Sequence, residues 1–383
     1  MDFHLSEDHI AIRDAAREFA VNEIAPSAVE RDITGDFPTE IVKKMGELGF
    51  MGMMAAPEHG GSGLDTVSYV IAMEEISKVD ASVAVVMSVN NSLVCWGLEE
   101  YGSDDIKARI LTPLARGEKI GAYCLSEPGV GSDATQQATT ARKDGDHWII
   151  DGAKNWITNG TTSDYYIVFA QTDPAKKHKG VTAFILEKGM PGFEIGKKED
   201  KLGIRSSDTC SLAFTGVKVP DTNRLGNEGE GFKIAMETLN GGRIGIAAQA
   251  LGIASGAFEK AIKYSYERHA FGQPINQLQA IQFKLAEMAT KIEAARQLIF
   301  RAARCKDNGE SYIKEAAMAK LYASTIAFEV ANEAIQIHGG YGYVREYLVE
   351  RALRDAKITQ IYEGTSEIQH IVIARQVLKE YQL

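Results

Sequence analysis

The order of the local patterns along the chain limits its fold most strongly. Residues 1 to about 118 carry apolar residues at helical spacing, and long helical patterns with few breakers return from Gly229 onward. Between them lie short runs rich in β-branched and aromatic residues, such as 165–170 and 182–186, separated by turn clusters. No ten-residue helical pattern interrupts these runs, which argues against alternating βαβ units. The chain therefore predicts an α+β protein with a small antiparallel β domain between two helical parts.

We expect three domains, at 1–118, 119–225 and 226–383. In the first, Ser6 can cap the opening helix. The helical patterns that follow Pro38 and the glycines at 60–63 cover 39–48, 66–78, 81–100 and 103–117. In the third domain, four long amphipathic patterns predict a four-helix bundle: 232–266, 277–306, 313–338 and the segment after Thr365.

Composition and charge exclude several classes of function. The net charge of −10 argues against a nucleic-acid partner, because phosphate binding needs clustered Lys and Arg. The four cysteines are scattered and the eight histidines show no metal-ligand spacing, so we expect free thiols, a reducing compartment and no metal. We expect no membrane span, because Asn90 and Asn91 break the longest apolar segment. The N-terminus lacks a signal or transit pattern, which indicates a cytoplasmic protein; a mature mitochondrial matrix form is the alternative.

The segment 358–369 combines the marks of a catalytic position. Glu363 precedes Gly364, which lets the backbone turn sharply, and a hydroxyl of Thr365 or Ser366 can cap the last helix. One interpretation is a solvated glutamate in a capped loop. The other is a general base, which needs a carboxylate held within reach of the proton that it removes. Burial would raise the pKa of Glu363, whereas the helix start behind it would lower that pKa, and the sequence leaves the balance open.

The segment 129–134 fits the Gly-x-Gly-x-x-Ala form of a dinucleotide fingerprint. That motif binds a pyrophosphate only between a strand and the helix that follows it. Here the residues from Thr139 to Asp151 have the pattern of strands around a turn, and Pro128 precedes the glycines. The sequence therefore argues against a Rossmann site.

Several blocks resemble signatures of the acyl-CoA dehydrogenases, the FAD enzymes that desaturate acyl thioesters. They are 123–133, 156–160, 268–272 with Gln279, and 336–343 continuing to Glu346, Arg351 and Asp355, and 358–369 resembles the family's catalytic loop. The resemblance covers essentially all 383 residues. It implies the fold of that family, with an N-terminal helical domain, a middle β domain and a C-terminal four-helix bundle.

The resemblance also implies the residues that contact FAD. In the family, the first two blocks contact the flavin, while residues matching Arg268, Gln279 and Gln336 approach the FAD of a neighbouring subunit. No role follows for His338. The expected FAD-contacting residues are Tyr123, Leu125, Ser126, Gly131, Ser132, Trp156, Ile157, Thr158, Arg268, Phe271, Gln279, Gln336, Gly339, Gly340, Thr365 and Glu367.

The implied reaction is removal of the Cα proton of an acyl-CoA by Glu363, with hydride transfer from Cβ to flavin N5, which gives a trans-2-enoyl-CoA. Some family branches place the base on a helix just before an arginine, but here that position is Gly242, so the isovaleryl and long-chain branches are disfavoured. The run 242–254 is most similar to short-chain, butyryl-CoA enzymes. The expected substrate-binding residues are Ser132, Asn240, Arg243, Tyr362 and Gly364.

As partners, the resemblance implies an acyl-CoA substrate, an electron-transfer flavoprotein and a homotetramer. A short branched-chain (2-methylacyl or isobutyryl) dehydrogenase is the alternative within the family. An O₂-dependent oxidase is a weaker enzyme alternative, because acyl-CoA oxidases carry an added C-terminal domain. A DNA-associated member of the superfamily would need a basic face, which the acidic balance disfavours. A catalytically inactive scaffold would have lost the glutamate at 363, and this chain retains it.

Overall fold

The structure, a computed structural model, describes residues 5–381. The first four residues, on which the prediction of no targeting segment bears, lie outside that range. Ser6 caps the first helix as predicted, because its side chain accepts a hydrogen bond from the amide of His9. The N-terminal helices are α1 (Glu7–Phe19), α2 (Ala25–Thr34), α3 (Thr39–Glu47), α4 (Thr66–Val79), α5 (Ala81–Ser88), α6 (Trp96–Tyr101), α7 (Asp104–Ile106) and α8 (Thr112–Ala115).

Three π-helical segments join some of these helices: Ala20–Ile24 links α1 to α2, Val89–Cys95 links α5 to α6, and Lys107–Leu111 links α7 to α8. The helix 81–101 is long and apolar enough to cross a membrane, yet 94% of its most apolar window is buried inside the protein. Within it, Asn91 bonds to the backbone of Phe50 and Met53. The amide group of Asn90 donates to the carbonyl of Met51. An apolar helix with satisfied polar groups, packed on all sides, is a core helix.

An eight-stranded sheet follows, with the order β6-β7-β3-β2-β4-β5-β8 and β1 paired to β4. Its strands are β1 (Gly121–Cys124), β2 (Thr140–Asp144), β3 (His147–Thr158), β4 (Tyr165–Gln171), β5 (Val181–Glu187), β6 (Phe193–Lys198), β7 (Thr209–Pro220) and β8 (Arg224–Leu225). Most pairs are antiparallel, as predicted. Two are parallel: β1 runs alongside β4, and β2 meets β4 at Thr140 and Gln171. The loop that contains 129–134 leads from β1 to β2 without a helix, so it cannot serve as a dinucleotide fingerprint.

The C-terminal part contains α9 (Gly231–Glu267), α10 (Gln279–Asp307), α11 (Ile313–His338), α12 (Val349–Thr359) and α13 (Ser366–Glu380), and a two-stranded ribbon of β9 (His269–Ala270) and β10 (Gln273–Pro274). Helix α9 packs against α4, α10, α11 and α12. Helix α12 was not among the four predicted bundle helices, and it contributes a fifth long segment. The residues 339–343 and 345–347 form short 3₁₀ turns before it.

One apolar core contains buried side chains of both helical parts, and the sheet has a second core of its own. The first core holds Val70 and Leu93 from the N-terminal helices together with Ile244 and Leu251 from α9. The predicted boundaries at 118 and 225 stay predictions, but this shared core explains how N-terminal side chains reach a site built on α9.

Candidate active site

The segment between α12 and α13 is a sharp turn with left-handed backbone. Glu363 has φ of 51° and Gly364 has φ of 93°. Thr365 closes the turn, because its side chain accepts a hydrogen bond from the amide of Ile368 and caps α13. A left-handed glutamate is costly and persists only where the surroundings fix it, which is common at functional sites.

The carboxyl group of Glu363 lies against Gly242 of α9. A Cβ added at Gly242 would overlap Oε2 of Glu363 and would lie 2.7 Å from Cδ2 of Leu93. Glycine is therefore the residue that leaves room for this carboxyl. The same Oε2 atom is buried and has no hydrogen-bond partner among residues 5–381. A buried polar atom without a partner is rare in a folded protein, and a bound ligand that bonds to it would satisfy it.

Burial raises the pKa of Glu363 to about 7, and the positive charges of Lys320 and Arg243 oppose that rise. The sequence left open whether burial or the helix start would dominate; burial does. A carboxyl with a pKa near 7 is half ionised at neutral pH and is suited to take up a proton from a weak carbon acid.

Arg243 supplies a second buried group without a full set of partners. Its side chain is 6% exposed, and Nη1 donates to Oδ1 of Asn240 at 2.6 Å. Its Nε atom is buried and has no partner in the part of the chain that the structure describes. One free acceptor on Glu363 and one free donor on Arg243 thus lie in the same region of α9, as expected of a site that binds a polar molecule.

Behind the carboxyl, the space along α9 is filled by polar side chains. The hydroxyl of Tyr362 donates to Oε1 of Gln249, whose Nε2 donates to the carbonyl of Ala81 at 2.8 Å. The hydroxyl of Tyr69 bonds to Oγ of Ser88 at 3.1 Å, and a Cβ at Gly245 would lie 2.5 Å from that hydroxyl. These groups close the far side of the region around Glu363.

The sheet approaches the same region through β1 and β3. The hydroxyl of Tyr123 donates to the carbonyl of Ala235 in α9 at 3.1 Å. Burial and the negative charge of Glu363 both raise the pKa of Tyr123. The backbone N–H of Asn155 donates to the carbonyl of Ser126 at 2.9 Å. This hydrogen bond places the segments 123–132 and 156–158 side by side. The Trp156 side chain is 62% exposed and its backbone is left-handed. An exposed tryptophan ring is suited to stack on a flat ring such as a flavin.

Thr365 and Glu367 lie at the start of α13, and the remaining predicted cofactor residues lie at the other end of α9. The guanidinium of Arg268 lies over the ring of Tyr341 at 5.7 Å, and Phe271 is 89% exposed. Arg268 follows Gly242 by 26 residues, which is about 39 Å along a helix. Gln279, Gln336, Gly339 and Gly340 are exposed at the ends of α10 and α11. His338 is buried and stacks on Tyr264 with centroids 4.2 Å apart, which is a packing role.

Four side chains of the site were missed from the sequence: Tyr69, Gln249, Lys320 and Gln369. Lys320 and Gln369 both donate to the carbonyl of Gly364, at 2.6 and 2.9 Å. A lysine among alanines on the apolar face of α11 was the available signal for Lys320, because lysine is almost never fully buried without a specific partner. Tyr69 and Gln249 carried no comparable signal.

Comparison with known proteins gives the class to which this fold and site belong. The chain matches family models for the N-terminal domain (6–118), the middle domain (122–217) and the C-terminal domain (229–378) of acyl-CoA dehydrogenases. The chain belongs to the acyl-CoA dehydrogenase family, and it is an oxidoreductase of that family. The predicted family and fold are confirmed.

Three relatives are similar over their whole length. A short-chain specific acyl-CoA dehydrogenase of Clostridium acetobutylicum is 50% identical over 99% of this chain and 100% of its own. The structure of butyryl-CoA dehydrogenase from Megasphaera elsdenii has a TM-score of 0.97 and 48% identity, over 99% and 100% of the two chains. A chain solved in work on the electron transferring flavoprotein of Acidaminococcus fermentans has a TM-score of 0.98 and 52% identity, over 99% and 100%.

Proposed function

We propose that this protein is a short-chain acyl-CoA dehydrogenase in which Glu363 removes the Cα proton of a butyryl-CoA-like thioester. The observation that carries the proposal is the buried, unpartnered Oε2 of Glu363, held against Gly242 with a pKa of about 7. A carboxylate is suited to accept a proton there, because burial raises its pKa toward neutral pH. The family and the reaction class are those of the relatives.

FAD is the cofactor of this family, and when bound it supplies the acceptor for the hydride that leaves Cβ. The open face of Trp156 and the neighbouring residues 123–132 and Thr158 would hold its ring. Thr365 and Glu367, at the start of α13, are further proposed contacts. The amide of Glu363 donates to no other residue among 5–381, so it is free to bind the thioester carbonyl and stabilise an enolate.

Two observations support a short acyl chain. The relatives at about 50% identity include enzymes named as short-chain specific or butyryl-CoA dehydrogenases. In this chain, Gln249 and Tyr69 are buried behind the carboxyl and bonded to Ala81, Tyr362 and Ser88, so a long apolar tail would displace satisfied polar groups. A short branched acyl chain would meet the same wall, so it stays the alternative substrate.

The electron acceptor that we propose is an electron-transfer flavoprotein, in line with the relative from Acidaminococcus fermentans. Arg268 and Glu363 lie too far apart along one chain to contact a single FAD, which supports an assembly of more than one chain; we propose the homotetramer that the family resemblance implies. The cytoplasmic location stays a prediction. The oxidase, DNA-associated and scaffold alternatives are not favoured, because the relatives at about 50% identity whose names state an activity are dehydrogenases.

The test mixes the FAD-loaded protein anaerobically with butyryl-, octanoyl- or 2-methylbutyryl-CoA and follows the loss of flavin absorbance. We expect butyryl-CoA to react fastest. Glu363→Gln should bind the ligand, but its flavin should be reduced about 10²–10⁴-fold more slowly. That factor is the usual contribution of a general base. Exposed Glu58→Gln is the matched control and should behave as the unchanged protein.

Each arm of this experiment can contradict a different part of the proposal. Full-rate reduction by Glu363→Gln would remove Glu363 from the reaction. A faster reaction with octanoyl-CoA would refute the short-chain assignment. A preference for 2-methylbutyryl-CoA would establish the branched-chain alternative instead.

A further inference from the structure

Lys320 of α11 is a fully buried lysine that contacts the turn between α12 and α13, which carries Glu363. Its side chain is 0% exposed, and its neighbours on the buried face of α11 include Ala316 and Ala323. No carboxylate among residues 5–381 lies within ion-pair distance of it, and its Nζ donates to the carbonyl of Gly364 at 2.6 Å. Burying an ammonium is expensive unless its hydrogen bonds are made, so this contact with the turn accounts for its place.

A second buried donor binds the same carbonyl oxygen from the opposite element. Nε2 of Gln369, in α13, lies 2.9 Å from the carbonyl oxygen of Gly364, and its side chain is also buried. The carbonyl is thus held between α11 and α13. These two hydrogen bonds hold the residue directly after Glu363. The left-handed φ of 51° at Glu363 is a conformation that needs such support.

The ammonium of Lys320 also acts electrostatically on the Glu363 carboxyl. The positive charges that act on Glu363 are those of Lys320 and Arg243, from α11 and α9. Glu367 acts on Lys320 from α13. The other titratable groups that sense Glu363 are Tyr69 of α4, Tyr123 of β1 and Tyr362 of the turn itself. Of all these groups, Lys320 is the one that also bonds to the backbone of the turn.

We propose that Lys320 is a positioning residue for the reaction: its ammonium fixes the Gly364 carbonyl, holds the turn so that the Glu363 carboxyl faces Gly242, and keeps a positive charge beside that carboxyl. The proposal rests on the function proposed above for Glu363. It assigns to Lys320 no contact with substrate. Removing the ammonium should therefore change the geometry and proton affinity of the base while leaving substrate affinity nearly unchanged.

The test uses FAD-loaded Lys320→Met, Lys320→Arg and, as matched control, Lys379→Met on the exposed end of α13. kcat/KM for butyryl-CoA rises with pH as Glu363 loses its proton. In Lys320→Met that rise should move upward by about one pH unit, because a neighbouring cation no longer favours the carboxylate. kcat should fall at least tenfold with KM changed less than threefold. Lys320→Arg should restore the position of the rise.

Backbone hydrogen exchange of the peptide 358–370 provides a readout that does not depend on turnover. Lys320→Met should exchange several-fold faster there, and Lys379→Met should not. If Lys320→Met fails to fold, the neutral Lys320→Gln carries the same pH and exchange tests. An unmoved pH profile together with unchanged exchange, in a folded neutral variant, would overturn the proposal.

The failure of this proposal is distinguishable from failure of the proposed function. Glu363→Gln measured in parallel reports on the base alone. Slow Glu363→Gln with normal Lys320→Met refutes only the role of Lys320. Full-rate Glu363→Gln removes the base itself, and the role of Lys320 falls with it.

Discussion

Three ionisable side chains, Glu363, Lys320 and Arg243, lie in one buried region. Burial shifts the pKa of each in the direction that favours its neutral form. The pKa of Glu363 rises to about 7, that of Lys320 falls to about 8, and that of Arg243 is lowered. Opposite charges nearby compensate each group only in part. Such a cluster favours catalysis at the expense of stability, as is common in active sites.

A stability measurement follows from the raised pKa of Glu363. In the unfolded chain its pKa is 4.5, so the folded state binds the proton more tightly, and the stability of the protein falls as pH rises from about 4.5 through 7. Glu363→Gln stays neutral. It should be more stable than the unchanged protein at pH 8, by about 3 kcal/mol, and nearly equal to it at pH 4.5. Urea unfolding at the two pH values measures the difference.

Glu58→Gln, at an exposed site, is the control for that measurement and should show no pH-dependent gain. An equal stability of Glu363→Gln and the unchanged protein at pH 8 would show that the carboxyl is not desolvated in solution.

At this scale the sequence predicted the position of the glutamate but not its protonation. Thr365 gave a local capping signal, so the turn around Glu363 could be located from neighbouring residues alone. The balance of its pKa depends on Lys320 and Arg243, which are 43 and 120 positions away in the chain. Which charges approach a carboxyl across helices is fixed by tertiary packing, and no local pattern encodes it.

Among the elements, helix α12 shows why local signals fail. It begins after Leu348, whose backbone is left-handed and which makes no side-chain cap. A sequence search for helix starts relies on Ser, Thr, Asp or Asn, so it finds α13 at Thr365 and overlooks α12. The parallel pairing of β1 with β4 was overlooked for a related reason, since strand direction is set by the path of the chain between strands rather than by the residues within them.

Helix α12 is held in place by a buried network of charges. Arg351 donates to Asp80 at 2.6 Å, lies 3.3 Å from Asp355, and also bonds to the carbonyl of Ala28. Arg31 of α2 bonds to the other oxygen of Asp80 at 2.7 Å. The amide of Ile204 donates to Asp355 at 2.5 Å, so the network joins both helical parts to the end of the sheet.

Arg351→Met should therefore be strongly destabilising. It leaves Asp355 buried without its ion pair and Asp80 with Arg31 alone, and breaking a buried pair in this way costs about 3–5 kcal/mol. The midpoint of urea unfolding of the FAD-loaded protein measures the loss. Arg13→Met, whose partner Asp14 is exposed, should change stability by less than about 0.5 kcal/mol. Similar midpoints for the two variants would mean that the network contributes nothing to stability.

At the scale of the whole molecule, the predicted cofactor residues form two main groups, one in the sheet domain and one at the C-terminal end of α9. Tyr123, in the first group, feels the charge of Glu363, and the group around Arg268 lies about 39 Å along α9 from Gly242, which the Glu363 carboxyl contacts. If each FAD is bound between two chains, one chain supplies the first group and another supplies the second.

That arrangement predicts complementation between two inactive variants. Arg268→Ala should weaken FAD binding, because it removes a guanidinium suited to a pyrophosphate, and Glu363→Gln should be inactive. Assemblies that contain both variants should recover activity, since one kind of mixed site has both intact groups. Co-expression with two different tags and purification on both isolates such assemblies. Activity no higher than that of either variant alone would place both groups in a single-chain site.

The overlap between Gly242 and Glu363 has a consequence for how this kind of enzyme can diversify. A side chain starting from position 242 would enter the space that the carboxyl of Glu363 already occupies. Two stretches of sequence far apart in the chain therefore converge on one point, and an acid could be delivered to it from either. During evolution of such enzymes, the position of the carboxyl group in space must be kept, whereas the sequence position that supplies it can change.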